Sequence, residues 1–377
     1  MLFGVATRFA RKVLTPAETP DNRLEVVATN SSNTSPIGIS IVLCGPEADL
    51  EGELSFIFDA GSRHTQSQAG HARIGPPKDQ QLVEGKLHVS RDVLQLDRGE
   101  LRVGARGRIT GWWFATPEQL GYQVEHVRLS LPMGPAPAWL IRPNEGGENH
   151  WAIHVHGRGA LPHETLRGVI PFASEGFTNL VISYRNDPGA PSGIRGRYGL
   201  GLAESADVEA AMRWAISQGA THLTLVGWSM GATACVCAAR GPLANYVVGM
   251  VLESPALDWC EILLQQAKLA RVPKFLARIG MWLLRSGIVP GAIYGQRGTP
   301  LSQLCGDQLA SLISVPTLIH ASPDDTFVSW NAAVRAATQR PTLFTLAVSQ
   351  GEHVKLWNVN PTRWHTLTQQ FIRDRLR

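Results

Sequence analysis

The chain has 377 residues, 44% of them apolar and 18% charged, a balance that suits an ordinary folded protein and excludes disordered or collagen-like chains. Thirty-five basic against thirty-one acidic side chains leave a formal charge of +4, too small and too scattered to imply a nucleic-acid partner. The length is about 2.5 times a typical domain, so one large domain with a smaller companion is the starting expectation.

At the N-terminus, Met1 to Thr7 is apolar but shorter than the core of a secretion signal, and Arg8, Arg11 and Lys12 follow it where a signal has its charges first. Five cysteines, Cys44, Cys235, Cys237, Cys260 and Cys305, are too few and odd in number for a disulfide framework, which points to a reducing, cytoplasmic setting. From about residue 22 to 116, short runs with strand chemistry such as Leu54–Phe58 and Leu87–Ser90 alternate with Gly, Pro and Asp turn signals. No long helix is predicted there. Arg108–Phe114 closes the segment and Thr116–Gly121 reads as a linker. The predicted division is therefore a β-rich domain over residues 1–121 and a second domain over 122–377.

Beyond the linker the pattern becomes that of βαβ units, strands separated by helical segments, and predicts a doubly wound, mostly parallel α/β sheet. Val124–Leu131 and Ala136–Ile141, joined by the turn Pro132–Pro135, read as a lead-in pair. Buried strands are predicted at Trp151–His156, Leu180–Tyr184, Leu223–Val226, Val247–Leu252, Thr317–His320 and Leu343–Val348. Glu204–Ser217 reads as a helix with Val208, Ala211, Met212 and Ile216 on one side. The uncharged stretch Leu223–Ala239 approaches spanning length, but Gly227, Ser229, Gly231 and two threonines split it into strand, turn and helix, so it is expected in protein rather than in lipid.

The sharpest chemical signal is Gly227-Trp228-Ser229-Met230-Gly231, between an apolar strand and a helix of small residues. A serine hydroxyl is a weak nucleophile unless it is held exposed beside a base. A tight strand-to-helix turn achieves the exposure and needs small residues on either side. The helix start also aims backbone N–H groups at the oxygen that becomes negative. The pentapeptide alone is a weak signal, and its strand-turn-helix context makes it a strong one. Hydrolases built on a G-x-S-x-G turn run Ser, then Asp or Glu, then His, from loops at the carboxyl ends of later strands. Thr317–His320 is followed by Ala321–Val328, which holds Asp324 and Asp325, and Leu343–Val348 by Ser349–His353.

On these residues the stretch from about 122 to the C-terminus resembles the α/β-hydrolase superfamily, in particular bacterial members of the esterase or lysophospholipase-like kind. The resemblance implies that Ser229 is the nucleophile, His353 the general base and Asp325 the acid, since an Asp two residues before a hydrophobic pair that includes Val matches Asp325-Thr326-Phe327-Val328. Asp324 is the near alternative. Glu253 and Asp258 are further alternatives at an earlier strand end. His154-Val155-His156-Gly157-Arg158-Gly159 resembles the turn that supplies a second oxyanion donor, which makes the amides of Arg158 and Met230 the expected pair. No cofactor is implied. The expected reaction is hydrolysis of a small-molecule carboxylic ester through an acyl-enzyme. Peptide, amide or thioester cleavage on the same residues remains an alternative, as does a binding protein that keeps the fold without the reaction.

Other readings accompany this one. His154 and His156 have a metal-ligand spacing on a strand, but no further ligand follows closely, and no metal is expected. His320, Cys235 and Cys237 read as structural. The Arg158 side chain is expected in solvent rather than on an anionic substrate group. The loop Tyr184–Gly199 borders the expected cleft, where a turn role and substrate contact stay equally open. Residues 254–310 form an insertion read as a cap. In it Lys274, Arg278 and Arg285 face away from Leu276, Ile279 and Leu283 on a helix led by Pro273. Such a helix packs on its own core or rests peripherally on anionic lipid, as the N-terminus also could.

Overall fold

A computed structural model describes residues 14–147, 149–285 and 301–376. The predicted absence of an export signal, the N-terminal membrane contact, and the part of the cap at residues 286–300 lie outside the described residues. So do the side chains of Lys274, Leu283 and Arg285.

The first six strands close into an antiparallel barrel in the order β1-β2-β5-β4-β3-β6: Leu24–Ser31, Ile39–Cys44, Lys86–Arg98, Gly70–Val83, Leu54–Phe58 and Arg106–Thr110. Closure is made by β1 on β6, with Leu24 opposite Gly107. Period-two alternation turns Leu24, Val26, Ile41, Leu43, Phe56, Phe58, Ile74, Val89 and Val93 into a common buried core. Two strands are longer than the apolar runs suggest. The hairpin of β4 and β5 extends to Val83 and Lys86 through polar residues, because its two-residue turn, Glu84-Gly85, holds both residues at positive φ (50° and 74°) and matches the strand twist.

The remaining strands form one eight-stranded sheet in the order β14-β13-β12-β11-β9-β10-β8-β7. These are Phe344–Val348, Thr317–Ala321, Val247–Glu253, His222–Trp228, His150–Val155, Thr178–Ile182, Gly134–Arg142 and Gln123–Leu131. The run from β14 to β10 is parallel, and β8 and β7 join antiparallel at one edge. Both faces are covered, so the central strands are apolar throughout rather than alternating. Trp151, Ile153, Val155, Leu223 and Leu225 pack with Val208 and Met212 of helix Ser205–Ser217 on one face. Ala152, Val226, Trp228 and Leu318 pack with Phe172, Trp364 and Phe371 on the other.

Barrel and sheet meet through buried polar contacts. Asn358 Nδ2 donates to the Glu53 carbonyl at 2.7 Å, and the Arg167 guanidinium donates to the Gly111 carbonyl and, at 2.9 Å, to Asn358 Oδ1. Between β12 and β13 lie helices Trp259–Leu269 and Lys274–Arg285. They leave Leu264, Leu269, Phe275, Ile279 and Trp282 exposed, the last at 61%. No helix among the described residues is long and apolar enough to cross a membrane.

The cysteines depart from expectation. Cys260 and Cys305 are disulfide-bonded across 45 residues, while Cys44, Cys235 and Cys237 are free. The sequence spacing is silent on this pair because tertiary folding brings the start of helix Trp259–Leu269 against the turn Leu301–Leu304. A disulfide counts against reading the cysteines as reduced.

Candidate active site

The turn after β11 is built by crowding. Ser229 takes φ 51° and ψ −117°, a strained conformation for a residue with a Cβ, and directly precedes helix Met230–Ala238. Its backbone is fixed on both sides: its N–H donates to the Glu253 carbonyl at 3.0 Å, and its carbonyl accepts from Ala232 and Ala256 at 3.1 Å each. A Cβ at Gly227 would lie 2.6 Å from Ala232 Cα, and one at Gly231 would collide with the Val155 carbonyl oxygen. Gly231→Ala is therefore expected to destabilise the fold by about 1–3 kcal/mol through overpacking. Thermal unfolding checks this, and an unchanged melting temperature would contradict it.

Ser229 Oγ donates to His353 Nε2 at 2.9 Å, and His353 Nδ1 donates to Asp325 Oδ2 at 2.8 Å. The other Asp325 oxygen accepts from the Phe327 and Val328 amides at 2.9 and 2.8 Å, which fixes the carboxylate plane. The Phe327 ring lies 5.0 Å from the imidazole. Glu352 ties the two loops together, accepting from the Thr326 amide at 3.1 Å and from its hydroxyl at 2.9 Å. Ser254 Oγ accepts from the Val354 amide at 3.2 Å and holds the segment just past the imidazole.

The alternative acids are elsewhere. Asp324 is exposed. Glu253 is buried, which pushes its carboxyl pKa up, and it accepts from the Leu356 amide near Arg167. Asp258 caps helix Trp259–Leu269 and pairs with Arg335.

Gly157 lies directly against Ser229, since a Cβ there would stand 3.1 Å from Ser229 Cβ. The next residue is Arg158. Met230 is the first residue of its helix, so its amide has no carbonyl one turn back to bond. The Arg158 side chain, expected in solvent, stands partly buried. Desolvation lowers its pKa despite the nearby hydroxyls of Tyr198 and Tyr184.

His154 and His156 do not share a ligand. His154 Nε2 pairs with Asn179 Oδ1 at 2.9 Å, and burial pushes its pKa down to about 4. His156 Nε2 pairs with Asp187 Oδ2 at 2.7 Å. His320 stacks on Trp364 with ring centres 4.6 Å apart, and burial lowers its pKa to about 3. Among the described residues, one group, Asp258 with Cys260 and Cys305, has metal-holding geometry, and the disulfide occupies both of its sulfurs. The loop after β10 has a turn role through Asp187, which also accepts from the Tyr184 amide at 2.9 Å. Sequence reasoning missed Arg63, a barrel residue whose Nη2 donates to Asp187 at 2.9 Å, because nothing in its neighbourhood marks it as reaching the sheet.

No protein-family model matches the chain, and no curated protein does. Solved structures do. The esterase Pf2001 of Pyrococcus furiosus, in three crystal forms, gives TM-scores of 0.52, 0.52 and 0.50 at 17%, 18% and 19% identity. Each comparison covers 68% of this chain and 95%, 93% and 92% of that one. The chain shares the α/β-hydrolase fold.

Proposed function

We propose that the chain is a serine hydrolase that cleaves a small-molecule carboxylic ester through an acyl-enzyme. The observation that carries this reading is the relay of hydrogen bonds from Ser229 through His353 to Asp325 at a strained strand-to-helix turn. Ser229 Oγ attacks the ester carbonyl carbon while His353 Nε2 takes its proton, and Asp325 holds the tautomer and stabilises the imidazolium. The Arg158 and Met230 amides meet the oxyanion, each contributing about 3 kcal/mol in the transition state. Collapse breaks the ester C–O bond, and the imidazolium returns its proton to the leaving alkoxide. Water then attacks the acyl carbon, giving its proton to His353, and the acid leaves as the Ser229 hydroxyl is restored.

Ester is favoured over amide and thioester by the fold likeness to an esterase. Rapid turnover of a short-chain nitrophenyl ester beside inert peptide anilides and a slow acyl thioester is the expected result, and the reverse order would overturn the substrate bond. The working division is a β-rich accessory domain over residues 1–121, a catalytic unit over 122–377, and a cap over about 254–310.

The exposed apolar residues of the insertion belong, in this reading, to a face that rests on anionic lipid. No acidic residue lies between Glu261 and Asp307, while Lys268, Arg271 and Arg278 stand exposed beside Phe275, Ile279 and Trp282. The protein is expected to sediment with phosphatidylglycerol vesicles but not with phosphatidylcholine vesicles. Phe275→Glu with Trp282→Glu should abolish this, and equal sedimentation of that variant would reject the contact.

A further inference from the structure

We infer that the ester substrate carries an anionic group, a carboxylate or a phosphate, and that the Arg158 guanidinium receives it beside Ser229. The inference rests on the ester-hydrolase reading and adds the class of substrate. Arg158 follows Gly157, where a Cβ would stand 3.1 Å from Ser229 Cβ, so its side chain is rooted next to the serine. It is half-buried, yet among the described residues no hydrogen bond or ion pair engages its guanidinium. The groups that act on it electrostatically are the hydroxyls of Tyr198 and Tyr184, which supply no full negative charge, and a second cation, Arg63.

The carboxylate that Arg63 holds, Asp187, is already paired without Arg158. Arg63 is only 5% exposed and donates from Nη2 to Asp187 Oδ1 at 2.9 Å and from Nη1 to Tyr198 Oη at 2.5 Å. Its Nε has no partner among the described residues. The other oxygen of Asp187 is taken by His156 Nε2 at 2.7 Å and by the Tyr184 amide at 2.9 Å. Both oxygens of Asp187 are thus engaged by other partners, and among the described residues none of its bonds goes to Arg158. The same residues clamp the turn that carries Arg158: Tyr198 Oη accepts from the Gly159 amide at 3.2 Å, and Tyr184 Oη donates to the Gly157 carbonyl at 2.9 Å. The clamp fixes the backbone of the turn, while the partly buried guanidinium that the turn carries has no counter-ion among the described residues. A partly desolvated charge without a counter-ion lowers stability, and such arrangements concentrate where a ligand supplies the missing charge. A guanidinium offers paired donors that match a carboxylate or phosphate, which a neutral ester cannot use. In this arrangement Arg158 is the binding group and Arg63 a positioning residue.

The test compares matched activated esters at low ionic strength, with each rate divided by its hydroxide-catalysed rate. One arm places the charge on the acyl side, 4-nitrophenyl hemisuccinate against 4-nitrophenyl butyrate. The other places it on the leaving group, 3-carboxy-4-nitrophenyl butyrate against 4-nitrophenyl butyrate. In at least one arm the wild-type protein is expected to favour the anionic member by about 10-fold or more in kcat/KM, mainly through KM, with the preference shrinking as salt is added. Arg158→Met should remove most of that ratio and Arg158→Lys should keep part of it. Arg63→Met should lower kcat for both members while leaving a residual preference. Turnover with no charge preference in either arm, or a preference that survives Arg158→Met, overturns the inference. Should the Arg158 variants fail to fold, the wild-type ratio and its salt dependence decide alone. No turnover of any member, with no labelling of Ser229 by a fluorophosphonate, would instead reject the ester-hydrolase reading itself.

Discussion

Ser229→Ala is expected to lower turnover of an activated ester by about 10⁴- to 10⁶-fold and to abolish labelling by a fluorophosphonate probe. The size follows from what is lost. Without Oγ there is no acyl-enzyme, and His353 Nε2 loses the hydroxyl it contacts at 2.9 Å. On the proposed mechanism the Arg158 and Met230 amides still meet the oxyanion, so some rate over uncatalysed hydrolysis should remain. The fold should persist, because the turn is held by the Ser229 backbone bonds to Glu253, Ala232 and Ala256 rather than by the hydroxyl. Backbone strain adds a second readout. At φ 51° and ψ −117° a residue with a Cβ costs about 1–3 kcal/mol, so Ser229→Gly should be inactive and yet more stable than Ser229→Ala. Equal labelling of wild type and Ser229→Ala would place the reactive group elsewhere. Absence of labelling in both would favour a binding protein that retains the fold without the reaction.

The parts of the site that sequence patterning exposes are those encoded over a few adjacent residues. The strand-glycine-serine-glycine-helix signal is local, since Gly227 and Gly231 answer to backbone contacts that any tight strand-to-helix turn creates. Asp325 and His353 each follow a short apolar strand, so chain order alone puts them on loops at one end of the sheet. Long-range pairings left no such trace. Arg63 lies 124 residues from Asp187, in a barrel loop whose residues look like any polar turn. The Cys260–Cys305 pairing depends on how the insertion folds back, and a count of five cysteines argued the wrong way. The full length of β4 and β5 was hidden because a barrel strand that runs past its core needs no apolar alternation. The partial burial of Arg158 is likewise invisible in the sequence, because Tyr184, Tyr198 and Arg63 reach its turn from distant segments.

Asp325→Asn should cost about 10⁴ in kcat with little change in KM, whereas Asp324→Asn should stay within a factor of a few of wild type. The contrast between neighbours comes from where each side chain points. Asp325 divides its oxygens, Oδ1 accepting from the Phe327 and Val328 amides and Oδ2 from His353 Nδ1. In the asparagine variant the amide oxygen remains the better partner for the two backbone N–H groups, so the NH₂ turns toward the imidazole. Nδ1 must then become an acceptor, which moves the ring proton to Nε2, the atom that has to take the proton of Ser229. A neutral ring in that tautomer cannot act as the base, and the imidazolium formed in the transition state also loses its counter-charge. Because the packing around the loop is unchanged, the expected loss falls on the chemical step and not on substrate binding. Asp324, exposed and with only its own amide bonded to Ser322, has no path to the imidazole. If Asp324→Asn proved the damaging change and Asp325→Asn the mild one, the loop would have to be shifted by one residue when the enzyme works. If neither mattered, His353 would be drawing its support from another carboxylate, and buried Glu253 would become the next to test.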